Sequence, residues 1–237
     1  MIKMKDFIII KNLLLVSTKE NKNLIDIPDL QFDKNSISVI MGHNGSGKTL
    51  LLNLLQGLIS PNSGSIRFNP QIKNCKNFIS IMMQKPTFLR RTTQQNIQFI
   101  LDLNKNKTRM SILEVLERFD LVPQKNILAN KLSGGEKQRL SLALATSINS
   151  KILLLDEPTA NADPLTTLRV EKIIKEEASA GKKIILVTHS IAQAKRLGQD
   201  LIFINNGKVL EQNKATKFFT QSKTKEIVQF LKGEIIL

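Results

Sequence analysis

The run Gly42-His43-Asn44-Gly45-Ser46-Gly47-Lys48-Thr49 combines three glycines, one lysine and one hydroxyl in the order G-x-x-x-x-G-K-[ST]. Gly42, Gly45 and Gly47 let a loop wrap so that its backbone N–H groups point inward at phosphate oxygens. Lys48 then neutralises the β- and γ-phosphates, and the Thr49 hydroxyl is a ligand for Mg²⁺. A strand-like "SISVIM" precedes the loop and a helix-like "TLLLNLLQGL" follows it, the setting such a loop requires and a chance glycine-rich turn does not. His43, inside the loop, reads as a solvent-facing spacer.

Two acids supply what the loop lacks. "ILLLDEP" ends in Asp156-Glu157. Mg²⁺ prefers oxygen ligands and keeps several waters, so Asp156, at a strand end, is placed to hold the ion or its water. Glu157 points elsewhere and suits a base that orients or deprotonates an attacking water. On their own, two acids after a strand read equally as a helix start favouring negative charge. Gln84, after "FISIMM", offers a side-chain oxygen to Mg²⁺ or water. His189, in "VTHS", ends another strand and can donate to a γ-phosphate or cap the next helix. In "LSGGE", Ser133 and Glu136 have the spacing of a capping box. That explains both residues but not Gly134-Gly135 between them, because glycine is costly in a helix. Bare backbone and a serine hydroxyl at a helix start form an anion site. Since 42–49 already holds one phosphate, this second anion is expected to come from another molecule.

These groups need elements to position them. Residues 7–16 and 30–41 read as strands, 49–58 as a helix closed by the turn "SPNSG", and "SGSIRF" and "FISIMM" as short strands. Between about 85 and 150 the pattern turns helical, with Ser111 and Glu114 placed as another capping box. "KILLLDEP" and "KIILVTH" read as buried strands, 164–181 as an amphipathic helix stopped by Gly181, and "LIFINNGKVLEQ" as a hairpin turning at Asn206-Gly207. Continuously apolar strands alternating with helices predict an α/β chain with a mainly parallel sheet. Ligands on such sheets sit at the carboxyl ends of the strands, where the 42–49 loop, Asp156-Glu157 and His189 are expected to converge.

A chain of 237 residues that is 41% hydrophobic can bury a real core, which excludes global disorder. Its single cysteine, Cys75, has no internal disulfide partner and reads as an inert thiol. Lys11 interrupts the apolar run at the start, no small-residue cleavage site follows, and no apolar run approaches the roughly 18 residues of a membrane helix. The net charge of +15 permits contact with nucleic acid or an anionic surface, but the charges are scattered, which favours a compositional origin.

Taken in order, "GHNGSGKT" (Walker A), Gln84 (Q-loop), "LSGGEKQR" (signature), "ILLLDEP" (Walker B), Asp163 in "ANADP" (D-loop) and His189 (H-loop) resemble the ATP-binding cassette (ABC) ATPases across residues 42–189. The resemblance implies the P-loop ABC ATPase fold as one domain: a RecA-like core with an antiparallel β subdomain from 1–84 and 151–237, and a helical subdomain at 85–150. It implies ATP and Mg²⁺ as cofactors. Gly42, His43, Asn44, Gly45, Ser46, Gly47, Lys48, Thr49 and Leu50 would hold one nucleotide; Thr49, Gln84 and Asp156 would hold the metal. Glu157 would be the catalytic base, helped by His189, Lys48 and Gln84. Ser133, Gly134, Gly135 and Asp163 would meet the nucleotide of a second copy in a head-to-tail dimer. Integral membrane permease subunits, met by the segment after Gln84, and a separate solute-binding protein would be the other partners, placing the chain at the cytoplasmic face of the cell membrane.

The family usually stacks an aromatic residue on adenine upstream of Walker A, and "VSTKENKNL" has none. The D-loop reads Asn-Ala-Asp where Ala-Leu-Asp is commoner, so only Asp163 carries over. "QKPTFLRRTTQQNIQF" resembles the corresponding stretch of tungstate importer ATPases, which points to tungstate or a related oxyanion as cargo. Arg90-Arg91 also reads as a basic pair docking on an acidic membrane subunit, whatever the cargo. The alternative is a cassette of a non-transport system acting on nucleic acid, ribosomes or cell division. One cassette and a compact interval between Walker A and the signature weigh against the nucleic-acid and ribosome types, and nucleic acid is not an expected partner.

Overall fold

A computed structural model describes residues 6–17, 22–34, 36–70, 79–103, 110–160 and 162–234. Cys75, Asn161 and residues 18–21 of the adenine-side stretch therefore lie outside the described residues. Along the chain run β1 (Asp6–Val16), β2 (Asn23–Asp33), β3 (Ile37–Met41), α1 (Lys48–Gln56), β4 (Ser63–Phe68) and β5 (Ile79–Met82). Then come α2 (Thr93–Leu103), α3 (Ile112–Arg118), a 3-10 turn at Ala129–Lys131, α4 (Gly134–Ser147), β6 (Ile152–Asp156) and α5 (Pro164–Ser179). The chain continues with β7 (Lys183–Val187), α6 (Ile191–Leu197), β8 (Asp200–Asn205), β9 (Lys208–Lys214), α7 (Ala215–Gln221) and α8 (Lys225–Lys232). These form two compact units, one of Met1–Cys75 with Lys183–Leu237 and one of Lys76–Lys182.

The first unit holds an antiparallel sheet in the order β2-β1-β4. It also holds β3 paired in parallel with both β7 and β8, with β9 returning antiparallel on β8. Every residue of β3 and β7 is buried: the apolar ones as their sequence predicts, and Ser38 and Lys183 with them. The hairpin turns where expected, with Asn206 and Gly207 both at positive φ. One boundary differs. The sequence pattern starts a strand at residue 30, whereas β2 starts at Asn23 and passes through Pro28. Its buried face switches from Ile25 and Ile27 to Leu30 and Phe32, in step with β1, where it passes from Leu13 and Leu15 to Ile10 and Ile8. Asn12, at φ +48, accompanies the switch. This change of phase breaks the period-two signal. Pro28 is tolerated because β2 pairs only with β1, at the sheet edge.

The second unit holds the parallel pair β5 and β6, with Met82 opposite Leu155, and helices α2 to α5. Among its described residues the 85–150 region carries α2, α3, the 3-10 turn and α4, in line with its mostly helical pattern. Both capping boxes form: Ser111 Oγ accepts from Glu114 N and Ser133 Oγ from Glu136 N, while each glutamate accepts the backbone N–H of its serine. α5 ends at Ser179, followed by Gly181 at φ +90.

Candidate nucleotide site

In the first unit, the chain leaves the carboxyl end of β3 and turns into the loop 42–49. Three positive-φ glycines shape it: Gly42 at +150, Gly45 at +79 and Gly47 at +106. A Cβ on Gly42 would meet the Ile204 carbonyl oxygen at 2.1 Å, and one on Gly47 the Ile25 Cδ1 at 2.9 Å. Only glycine lets the loop pass so close to β2 and β8. Lys48, 7% exposed, folds back to donate to the carbonyls of Gly42 at 2.9 Å and His43 at 2.7 Å. Ser46 Oγ is buried without a hydrogen-bond partner. Asn44, Gly45 and Thr49 are exposed, and Leu50 is half-buried. An ammonium, a buried donor without an acceptor and a glycine-only turn at a helix start together fit a bound phosphate chain.

His43 corrects an expectation. It is half-buried rather than solvent-facing, and its Nε2 pairs with Asn205 Oδ1 at 2.5 Å at the tip of the β8–β9 hairpin. Gly207 N also donates to Ser46 O at 2.9 Å. The hairpin therefore braces the loop from 162 residues away, a contact that no local pattern could signal.

His189 lies two residues beyond β7 rather than at its end, and it is exposed. Thr188 N takes the last ladder bond, to Ile40 O at 3.2 Å. Ser190, not His189, caps α6, accepting from Gln193 N. His189 thus emerges from the strand beside β3, whose end carries the phosphate loop.

In the second unit, Gln84 follows β5 and is exposed, and Asp156 ends the adjacent parallel β6. Asp156 and Glu157 are 3% and 7% exposed. Glu157 has φ +52, uncommon for a residue with a long side chain. Such strain persists where the surroundings over-determine it, often at active sites. The following turn is held by Ala160 N on Glu157 O and by Gln138, on α4, whose side-chain amide donates to Ala160 O. Gln138 is a positioning residue that sequence reasoning missed.

Ser133 and Gly134 are exposed and Gly135 half-buried at the start of α4. A Cβ on either glycine would meet nothing within 4 Å, and neither has positive φ. The chain's own fold therefore does not require this glycine pair. Asp163 caps α5, accepting from Leu165 N and Thr166 N at 2.9 Å and from the Thr166 hydroxyl at 2.5 Å. The Thr166 hydroxyl and then its N–H hold that carboxyl below the usual range. Thr49 in the first unit, and Gln84 and Asp156 in the second, each carry a side-chain oxygen, the donor type that Mg²⁺ prefers. Among the described residues no group of three or more His, Cys, Asp or Glu is arranged to hold a metal by itself.

The family model described as ABC transporter matches residues 25–160, more than half of the chain. The chain belongs to the ABC transporter family. The cassette is 35% identical over 193 residues to the tungstate uptake system ATP-binding protein TupC of Peptoclostridium acidaminophilum, covering 79% of this chain and 90% of that one. It is 31% identical over 229 residues to the L-cystine import ATP-binding protein TcyC of Bacillus subtilis (strain 168), covering 90% and 92%. The phosphate import ATP-binding protein PstB of Malacoplasma penetrans (strain HF-2) is also 31% identical, over 228 residues, covering 87% and 79%. Among solved structures, the dimeric post-hydrolysis state of the ATP-binding cassette MJ0796 bound to ADP and Pi superposes with a TM-score of 0.77. It has 26% identity and covers 87% of this chain and 98% of that one. The cassette therefore has the ABC ATPase fold, binds ATP and is an ATPase. No helix among the described residues is long and apolar enough to cross a membrane.

Proposed function

We propose that the cassette is the ATP-hydrolysing subunit of an importer for tungstate or a related oxyanion. The 35% identity to a tungstate uptake ATP-binding protein carries the cargo assignment. It agrees with Leu89-Arg90-Arg91 after Gln84-Lys85-Pro86. The relatives named for cystine and phosphate share the rest of the machinery, which is common to many cargoes. Deletion of the gene should abolish cellular tungsten accumulation, measured by mass spectrometry, and leave cystine and phosphate uptake intact. Loss of either of the latter uptakes instead would refute the cargo.

Within the site, residues 42–50 hold the ATP phosphates. Mg²⁺, bound to Thr49, Gln84 and Asp156, would screen the phosphate charge. Glu157 accepts the proton of the attacking water, and His189 donates to the γ-phosphate. Lys48 neutralises charge on the β- and γ-phosphates. Ser133, Gly134, Gly135 and Asp163 act on the nucleotide of a second copy paired head to tail. A glycine pair that the fold does not need supports this arrangement, because a partner's phosphate requires bare backbone there. Solved relatives described as dimeric cassettes support a paired assembly. One domain, its helical part at 85–150, would sit peripherally at the cytoplasmic membrane face on permease subunits, fed by a solute-binding protein.

Glu157→Gln should bind ATP without turnover and sediment as a dimer, whereas Gly135→Asp should bind ATP as a monomer and lose hydrolysis. A monomeric Glu157→Gln at saturating ATP, or an active Gly135→Asp, rejects the paired site.

A further inference from the structure

The second unit contains a cavity of about 430 Å³ that the hydrolysis site leaves unused. Its floor is apolar, made by Phe119, Leu142, Val170 and Ile173, all buried. Its walls come from the end of α3, from α4 and from α5. Cations and acids share the rim, and two of the cations are already committed. Arg169 Nη1 lies 2.7 Å from Asp120, and Arg118 Nη2 lies 3.0 Å from Glu176 and 2.9 Å from Glu177. The remaining rim charges are Arg139, which also feels the Glu136 carboxylate, and Lys172 against Glu117.

Arg139 is the decisive group. Its Nε is buried without a hydrogen-bond partner, and its Nη2 reaches the Asp120 carbonyl only at 3.5 Å. An acceptor entering the cavity would meet the Arg139 guanidinium that lines it and form a shorter, charge-assisted bond than the one at 3.5 Å. The guanidinium fork matches a carboxylate in two-point geometry. The volume falls within the range of small-molecule sites, and an apolar lining with few polar anchors is their usual chemistry.

We propose that this cavity binds a small organic monoanion, with its carboxylate on Arg139 and Lys172 and its apolar or aromatic body against Phe119, Leu142, Val170 and Ile173. A bare inorganic anion gains nothing from that floor, and a neutral body leaves Arg139 unsatisfied. None of its lining residues belongs to the 42–49 loop.

The test uses the full chain saturated with ADP, so that the 42–49 loop is already filled, and calorimetric titration with 1-naphthoate, neutral 1-naphthamide and inorganic phosphate. Naphthoate should bind with Kd at or below about 1 mM, naphthamide roughly tenfold more weakly, and added phosphate without detectable saturation. Arg139→Met should abolish naphthoate binding. Lys172→Met, on an exposed position with no hydrogen-bond or ion-pair partner among the described residues, should keep the melting temperature and weaken binding roughly threefold to tenfold. Should Arg139→Met unfold, the acid-to-amide ratio and Lys172→Met decide by themselves. Equal affinity for acid and amide, no effect of Lys172→Met, or no saturable naphthoate binding up to about 10 mM would overturn the proposal.

Discussion

Gly42 combines a φ of +150 with a backbone neighbour that cannot yield, the Ile204 carbonyl. Gly42→Ala should therefore cost about 2–4 kcal/mol and disrupt nucleotide binding. Gly45, at φ +79 but with open space around it, should cost only about 1 kcal/mol as Gly45→Ala. Thermal unfolding with and without ATP checks both; equal losses at the two sites would contradict the packing argument. The glycine spacing was legible in the sequence because each position in the loop has a local backbone reason. The pairing of His43 with Asn205 was not, because it depends on where the β8–β9 hairpin folds back.

At the scale of the element, α4 balances stability against use. The Ser133–Glu136 box anchors its first turn, and the backbone N–H of Ser133 holds the Glu136 carboxyl below the usual range. Ser133→Ala should cost about 1 kcal/mol. Gly134→Ala should instead stabilise the monomer by about 0.4–1 kcal/mol, since the added Cβ meets nothing and the unfolded chain loses freedom. It should nevertheless slow ATP turnover. Urea denaturation alongside an ATPase assay separates the two effects, and a destabilised Gly134→Ala would show that this helix start is not open. Helices α3, α4 and α5 were readable from their caps and periodicity. The first half of β2 was not, because its buried face changes phase at Pro28-Asp29 in concert with β1, a distant strand.

At the scale of the molecule, a buried lysine links stability to pH. Lys183 is fully buried at the start of β7 and donates to Ser36 O, Ser36 Oγ and Ser38 Oγ at 2.7–2.8 Å. Burial pushes its pKa from 10.5 down to about 7, opposed by Asp200 and Asp33 and assisted by Lys214. Between pH 7 and 10.5 the unfolded chain thus binds a proton that the folded chain does not. This lysine makes stability rise with pH across that window, by up to roughly 1.4 kcal/mol per unit. Below it the lysine is charged in both states and the pH dependence vanishes. Lys183→Met should remove this component, so that the stability difference between wild type and variant grows from about pH 7 to about pH 10 in urea titrations. A constant difference would mean that Lys183 keeps its ordinary proton affinity.

The sequence by itself determined the glycine-rich loop after β3, the acids and histidine at or just past strand ends, the capped start of α4 and the α/β alternation. These are local: each rests on a few consecutive residues whose backbone or side-chain chemistry has one efficient use. Tertiary structure alone decided the bracing of the loop by the hairpin, the burial of Lys183 and the cavity around Arg139. Those depend on which side chains from distant segments share the same few ångströms, and a linear pattern carries no term for that.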